Sequence, residues 1–370
     1  MFYGKSILLI AFIFSSVLIY KICRVININS QKSRWGAYIY FTSAMSISVI
    51  GNVGQCDIFC ICLTLLGLLA YIKNENKKFL FWFIVAAQFK QFAVFIFIPL
   101  LLLRDKNLLK IAGKIFLLGV VTLLCNLPIM LVSGAAKSRA GFTLGMAGKL
   151  LANKLPFFHG NVRVFLVMFG ALCVYCWLHE YKDSQDRDSI NHHIIFTAML
   201  SFIVFFTSFS SYPYWFMHMI PYLAIMSVCN YIDSRKFLLF ETLAIAALIF
   251  SNYCIYFWCY TPNNAINMLL HKLTGSPALI NVEAIARQRT NIKSTKIIDF
   301  IVKLFKTHAI FNSIYFVCIW TCAWLALPRK TSNSNYINYS LRSYVMLRLL
   351  VNVLACSCPF ILYFLAIIRS

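Results

Sequence analysis

The chain has 370 residues, of which 61% are hydrophobic and 12% are charged, and its formal net charge is +23. Its mean hydropathy is +0.77. One soluble core could not bury so much apolar surface, so this composition excludes a soluble domain.

Apolar runs of about 16–25 residues recur along the chain, which is the length a helix needs to cross a membrane. The sequence therefore predicts an all-α, polytopic transmembrane helix bundle with about 10–12 membrane segments. The predicted segments are 6–20, 35–51, 57–72, 79–103, 111–133, 163–179, 193–210, 213–231, 237–258, 308–327 and 344–368. The domains expected from this pattern are a transmembrane core over 1–258, an outer loop over 259–307 and C-terminal transmembrane helices over 308–370.

The 34 Lys and Arg residues lie mainly in short loops between apolar runs, as expected of the loops of a membrane protein. We therefore expect contact with membrane lipids and no nucleic-acid partner. The predicted location is the plasma membrane, as a multi-pass protein of the bacterial cytoplasmic-membrane type. Basic residues follow the first segment more densely than they precede it, which places the start of the chain outside.

Segment 79–103 has Lys78 before it, Arg104 after it and Lys90 in its middle. Because both flanks are basic, the segment is either a re-entrant hairpin with Lys90 at its outer tip or a single crossing with Lys90 near the midplane. Counting basic residues does not separate the two. We favour the hairpin because it brings Lys90 to the level of Asp57.

Asp57 ends the run G-Q-C-D, which lies between two apolar segments. A charge inside a membrane costs a few kcal/mol, so Asp57 and Lys90 are a predicted functional site. Structural roles are the alternatives. Asp57 could cap helix 57–72, Lys90 could reach the interface or a backbone carbonyl, and Gln55 could hydrogen-bond across helices.

The predicted outer loop 134–162 contains Lys137 and Arg139 but no acid, and Arg163 follows it. Binding a phosphate or pyrophosphate would explain a basic outer loop, and so would an inverted topology. The apolar spacing within 259–307 predicts an amphipathic helix on the membrane surface.

Two aromatic stretches contain weaker candidates for substrate contact. His159 is either a turn residue or a substrate contact. Tyr212, Trp215 and His218 resemble an interfacial aromatic belt, although such rings could also stack on sugars. The cysteines fall in apolar segments without clustered His or carboxylate, so we predict no metal site from them.

The run G-N-V-G-Q-C-D-I-F-C, followed by A-A-Q-F-K and a Pro-Leu run at Pro99, resembles the N-terminal half of GT-C-type integral membrane glycosyltransferases. The resemblance is best over 35–135. It implies a hexosyltransferase-type enzyme that uses a polyprenyl-phosphate sugar as donor and a cell-surface glycan or lipid as acceptor. It also implies that Asp57 is catalytic or orders the site. The resemblance and the features described above together predict the following substrate contacts: Gln55, Lys90, Lys137, Arg139, His159, Arg163, Tyr212 and Trp215.

The family carries an acidic residue or D-x-D pair after a helix upstream of everything matched here. We therefore expect either an incomplete chain or a member without the usual base. Asp186 and Asp188 form the D-x-D of this sequence, and they are predicted to be solvated charges at a helix end. In the inverted topology they would be a donor site, for which a divalent cation is possible.

The expected reaction moves a sugar from a polyprenyl-phosphate carrier to an acceptor on the outer face. Cations should surround the departing phosphate while a carboxylate accepts the proton of the acceptor hydroxyl. A polysaccharide polymerase or ligase is one alternative. A transporter or flippase of lipid-linked saccharides is the other, although no internal repeat supports it.

Overall fold

A computed structural model of the protein describes residues 2–48, 56–131, 145, 148, 150–157, 160–181, 186–208, 213–255, 308–328 and 341–368. Over these residues the chain forms a helix bundle, which confirms the predicted all-α polytopic fold. The domain boundaries remain predictions, and segment 259–307 lies outside the described residues.

The helices follow the apolar runs of the sequence closely. The N-terminal helices are α1 (Phe2–Val25), α2 (Ser30–Phe41), α3 (Ala44–Ser48), α4 (Asp57–Ile72), α5 (Asn76–Phe89), α6 (Ala93–Arg104) and α7 (Leu108–Met130). The later helices are α8 (Val164–Leu178), α9 (Arg187–Ser208), α10 (Ile220–Ser227), α11 (Ser234–Ile255), α12 (His308–Leu325) and α13 (Arg342–Ile368).

Among the described residues, three helices are long and apolar enough to cross a membrane, namely Ser6–Val25, Leu108–Pro128 and Arg187–Ser208. The last of these, in α9, lies at the centre of the bundle with 83% of its apolar window buried. The corresponding window of α7 is only 11% buried, so α7 is a peripheral helix. Its exposed apolar side chains are suited to contact with lipid.

Two predicted segments are broken rather than continuous. Segment 35–51 divides into α2 and α3 at Thr42 and Ser43. Segment 213–231 becomes a 3₁₀ helix, Pro213–His218, followed by α10. Prolines supply a local reason for the second break, since they remove helix hydrogen bonds.

Segment 79–103 forms a helical hairpin made of α5 and α6 rather than one continuous helix. Its re-entrant placement and outer tip stay predictions. Arg104, at the end of α6, donates to the Asn76 side chain at the start of α5 and to the Tyr71 carbonyl. The Phe97 ring lies 5.4 Å from that of Phe79, so the two helices run antiparallel. The tip of the hairpin is therefore at Lys90.

Gly67 lets α4 approach this hairpin closely. A Cβ atom at residue 67 would lie 2.5 Å from the Phe83 ring of α5, well inside contact distance. The ring fills the space that the glycine leaves, and the close packing sets the height of Asp57 relative to Lys90.

A small β-hairpin was not predicted. Strands β1 (Lys154–Phe157) and β2 (Gly160–Arg163) pair antiparallel, with Lys154 opposite Arg163. Asn153 donates to the Ser208 carbonyl at the end of α9 over 2.8 Å. We call this end of the bundle, which also contains the start of α8 and Lys90, the tip end.

Candidate functional site

The tip end contains a buried ion pair between Asp57 and Lys90. Lys90 Nζ lies 2.8 Å from Asp57 Oδ1. Asp57 is the first residue of α4, and Lys90 ends α5 in an extended conformation at the hairpin tip. The Asp57 side chain is fully buried, whereas the Lys90 side chain is 26% exposed. Lys90 is therefore the more accessible member of this pair.

The contacts of Asp57 differ from the N-cap role considered for it. No backbone amide of the described residues donates to the Asp57 carboxylate. The N-cap of α4 is Cys56, whose side chain makes no capping hydrogen bond. Asp57 therefore pairs with a cation from another helix, although its charge still lies at the favourable end of the α4 dipole.

His218 also belongs to this centre. From the sequence alone it was grouped with the residues of an interfacial aromatic belt. Its Nε2 lies 3.7 Å from Asp57 Oδ2, and its side chain is buried. The Phe92 ring, from the turn after Lys90, packs edge-on against the imidazole at 4.8 Å. The pairing could not be read from the sequence because 161 residues separate Asp57 and His218.

Two aromatic rings lie beside the ammonium of Lys90. The centroids of Phe92 and Trp215 are each 5.8 Å from Lys90 Nζ, and the two rings meet at 4.9 Å. Such cation–π contacts contribute about 0.5–2 kcal/mol each. Trp215 is buried, so the belt interpretation is wrong for Trp215 and His218. Sugar stacking by Trp215 stays a prediction.

The remaining predicted contacts are only partly described. Arg163 ends β2 at the tip end, where its guanidinium donates to the Leu151 carbonyl. Five further predicted substrate residues lie outside the described residues: Gln55, Lys137, Arg139, His159 and Tyr212.

The D-x-D pair lies at the opposite end of the bundle from Lys90. Asp186 accepts a hydrogen bond from the Tyr231 hydroxyl at 2.9 Å, and Asp188 accepts one from the Asn27 amide at 2.6 Å. Each carboxylate ties the start of α9 to another turn. Across the described part of the chain, no three His, Cys, Asp or Glu side chains are grouped to hold a metal ion.

The fold defines a polytopic membrane protein built from a bundle of helices. The sequence profile of the EpsG family matches residues 2–273, and the chain therefore belongs to the EpsG family. This is a family of membrane proteins of the polymerase-type, glycosyltransferase-like kind. No curated protein and no solved structure matches the chain significantly.

The family favours one of the functions left open by the sequence. A polysaccharide polymerase was an alternative to transfer of a single sugar, and family membership supports that alternative better.

Proposed function

We propose that this protein is a polysaccharide polymerase-type membrane glycosyltransferase. It would transfer a glycan from a polyprenyl phosphate or diphosphate carrier to a growing glycan at the outer face of the membrane. The observation that carries this proposal is the buried Asp57–Lys90 pair, with His218 beside it, at the tip of a broken membrane helix. Ionisable groups at such a depth are expensive and are usually retained for function.

Lys90 is assigned to the leaving phosphate. The bond between the anomeric carbon and the phosphate oxygen breaks during transfer, and negative charge then collects on the departing group. A fixed cation in a site of low dielectric stabilises that charge more than it could in water. Lys90 is suited to this role because its side chain is partly exposed while that of its partner is enclosed.

Asp57 and His218 are assigned to the proton of the acceptor. When Lys90 moves onto the phosphate, it uncovers Asp57 Oδ1. The acceptor hydroxyl attacks the anomeric carbon, and its proton passes to the pair formed by Asp57 and His218. Such positioned proton transfer contributes about 10²–10⁴-fold to a rate.

The experiment uses purified protein with a polyprenyl diphosphate-linked oligosaccharide, and it measures the length of the products. A polymerase gives a ladder of products that differ by one repeat unit. Addition of a single sugar would favour the simpler lipid-linked sugar transferase, and movement of intact donor across vesicles without a product would favour a transporter.

The residue test is Asp57→Asn, which removes the charge and keeps the size of the side chain. We expect the rate of transfer to fall about a hundredfold or more. Asp105→Asn is the matched control, since Asp105 pairs with Lys114 at the opposite end and is partly exposed. Normal ladders from Asp57→Asn would contradict the assignment.

A further inference from the structure

A second charge pair is buried deep in the bundle, between Glu241 of α11 and Arg348 of α13. Arg348 Nε lies 2.7 Å from Glu241 Oε2, and Arg348 Nη2 lies 2.9 Å from Glu241 Oε1. Neither side chain is more than 2% exposed.

The pair lies against the break between α2 and α3. Arg348 Nη1 donates to the Thr42 hydroxyl at 3.4 Å. Asn352, one turn further along α13, donates to the Thr42 carbonyl at 3.2 Å. The last carbonyls of a helix have no partner within that helix, and inside a membrane they need a donor from a neighbouring element. Asn352 of α13 supplies one such donor, while Arg348 holds the Thr42 side chain.

The break is connected to the Asp57 centre through α3. This short helix packs against the 3₁₀ helix Pro213–His218, and also against α11 and α13. The 3₁₀ helix carries both Trp215 and His218. A shift of α3 would therefore move the 3₁₀ helix that holds His218 next to Asp57.

We propose that Arg348 and Asn352 are positioning residues of the Asp57 centre. They fix the end of α2, which sets the position of α3 and, through it, of His218 and Trp215. Helix α13 lies beyond the residues 2–273 that match the family profile, so a segment outside that match supports the site. This inference rests on the proposed function of the centre.

The first test is Asn352→Ala, which removes one donor to Thr42 and leaves the Glu241–Arg348 pair in place. We expect kcat for transfer to fall about tenfold to a hundredfold, because small misplacements of reacting groups are costly. The KM for the lipid-linked donor should be unchanged, since Lys90 is untouched. Asn126→Ala is the matched control, because the Asn126 amide donates to Thr122 within the peripheral helix α7.

A second readout does not depend on activity. Cys56 precedes Asp57 and is exposed. Its labelling by a maleimide, followed by peptide mass spectrometry, reports on the start of α4 next to Asp57. Labelling should be several-fold faster in Asn352→Ala than in the wild type, since a loosened α3 should also loosen the packing of this centre.

A double variant controls for loss of activity that is caused by unfolding alone. Glu241→Gln combined with Arg348→Met removes both charges, so that no unpaired charge is left buried. It should fold, lose kcat as Asn352→Ala does, and label faster at Cys56. Wild-type kcat and wild-type labelling in both variants would overturn the inference.

The failure of the proposed function has a different signature. If the wild type forms no glycan product while Cys56 labelling still accelerates in Asn352→Ala, the positioning link is supported and the proposed reaction is wrong. If the wild type is active and both variants match it, the reaction stands and the positioning link is wrong.

Discussion

The two buried ion pairs of this protein differ in how they are enclosed. Glu241 and Arg348 meet through two hydrogen bonds and are almost fully buried. Asp57 and Lys90 meet through a single short contact, and the lysine side chain is 26% exposed. The first pair joins two long helices, whereas the second lies where helices begin and break.

Under the proposed function, this difference is what we expect between a structural pair and a functional one. An enclosed, bidentate pair has its hydrogen-bonding capacity used within the protein, and removing one partner leaves a buried charge. When one residue of a pair is accessible, that residue can leave its partner and bind a ligand that carries the same charge as the partner. Lys90 could exchange a carboxylate for a phosphate, and Arg348 could not do so without opening the bundle.

The largest expected effect on stability is that of Arg348→Met. It leaves Glu241 buried without a partner, so we expect the free energy of unfolding to fall by about 3–5 kcal/mol. Adding Glu241→Gln should restore most of that loss. Thermal unfolding in detergent measures both, and equal stability of the single and double variants would contradict an enclosed, mutually dependent pair.

Lys90→Met should affect activity more than stability. Asp57 keeps His218 at 3.7 Å, so the expected loss in unfolding free energy is about 1–3 kcal/mol, smaller than for Arg348→Met. Transfer per folded molecule should fall about a hundredfold, because the leaving phosphate loses its cation. A variant that unfolds readily but transfers normally when folded would make Lys90 structural.

Lys106→Met tests whether replacing any partly buried lysine lowers transfer more than stability. Lys106 donates to the Cys176 and His179 carbonyls at the C-terminal end of α8, over 2.9 and 2.6 Å. This is the end of the bundle opposite Lys90. Burial lowers its pKa below the usual lysine value. We expect a loss of about 1–2 kcal/mol in unfolding free energy and unchanged transfer. Reduced transfer at normal stability would show that the effect of Lys90 is not specific to the tip.

The smallest expected effect comes from the basic loop. Replacing Lys137 and Arg139 by Gln should raise the KM for the lipid-linked donor only a few-fold, since hydrated charges interact weakly. The difference from the wild type should vanish at about 1 M salt, where the Debye length is near 3 Å. A salt-independent effect would indicate direct, dehydrated contacts with the donor.

Much of the fold was predictable because the membrane imposes a length on each apolar run. Helix α4 begins and ends where the sequence predicts, and the hairpin was favoured on the positions of Lys90 and its basic flanks. The β-hairpin near Arg163 was missed because its strands are too short to show an alternating pattern. The break at Thr42 was missed because it depends on donors from Arg348 and Asn352, which lie some 300 residues away.

The site was also predictable in part, because the membrane makes charged residues conspicuous. Asp57 and Lys90 stand out because a charge in an apolar run is rare and costly. His218 carries no such mark, since a histidine among aromatic residues is unremarkable by composition. Only the fold brings it to Asp57, and the same is true of the burial of Trp215. Contacts between helices that are distant in the chain produce no residue spacing from which they could be predicted.

The most direct test of the account is to exchange the two charges of the tip pair, by combining Asp57→Lys with Lys90→Asp. The exchange restores an ion pair, so the free energy of unfolding should recover relative to either single variant. It also places a carboxylate where the phosphate should bind. We therefore predict recovered stability without recovered transfer, measured per folded molecule with the lipid-linked oligosaccharide donor. Recovery of both stability and transfer would show that the pair only holds the helices together, and would contradict the central claim.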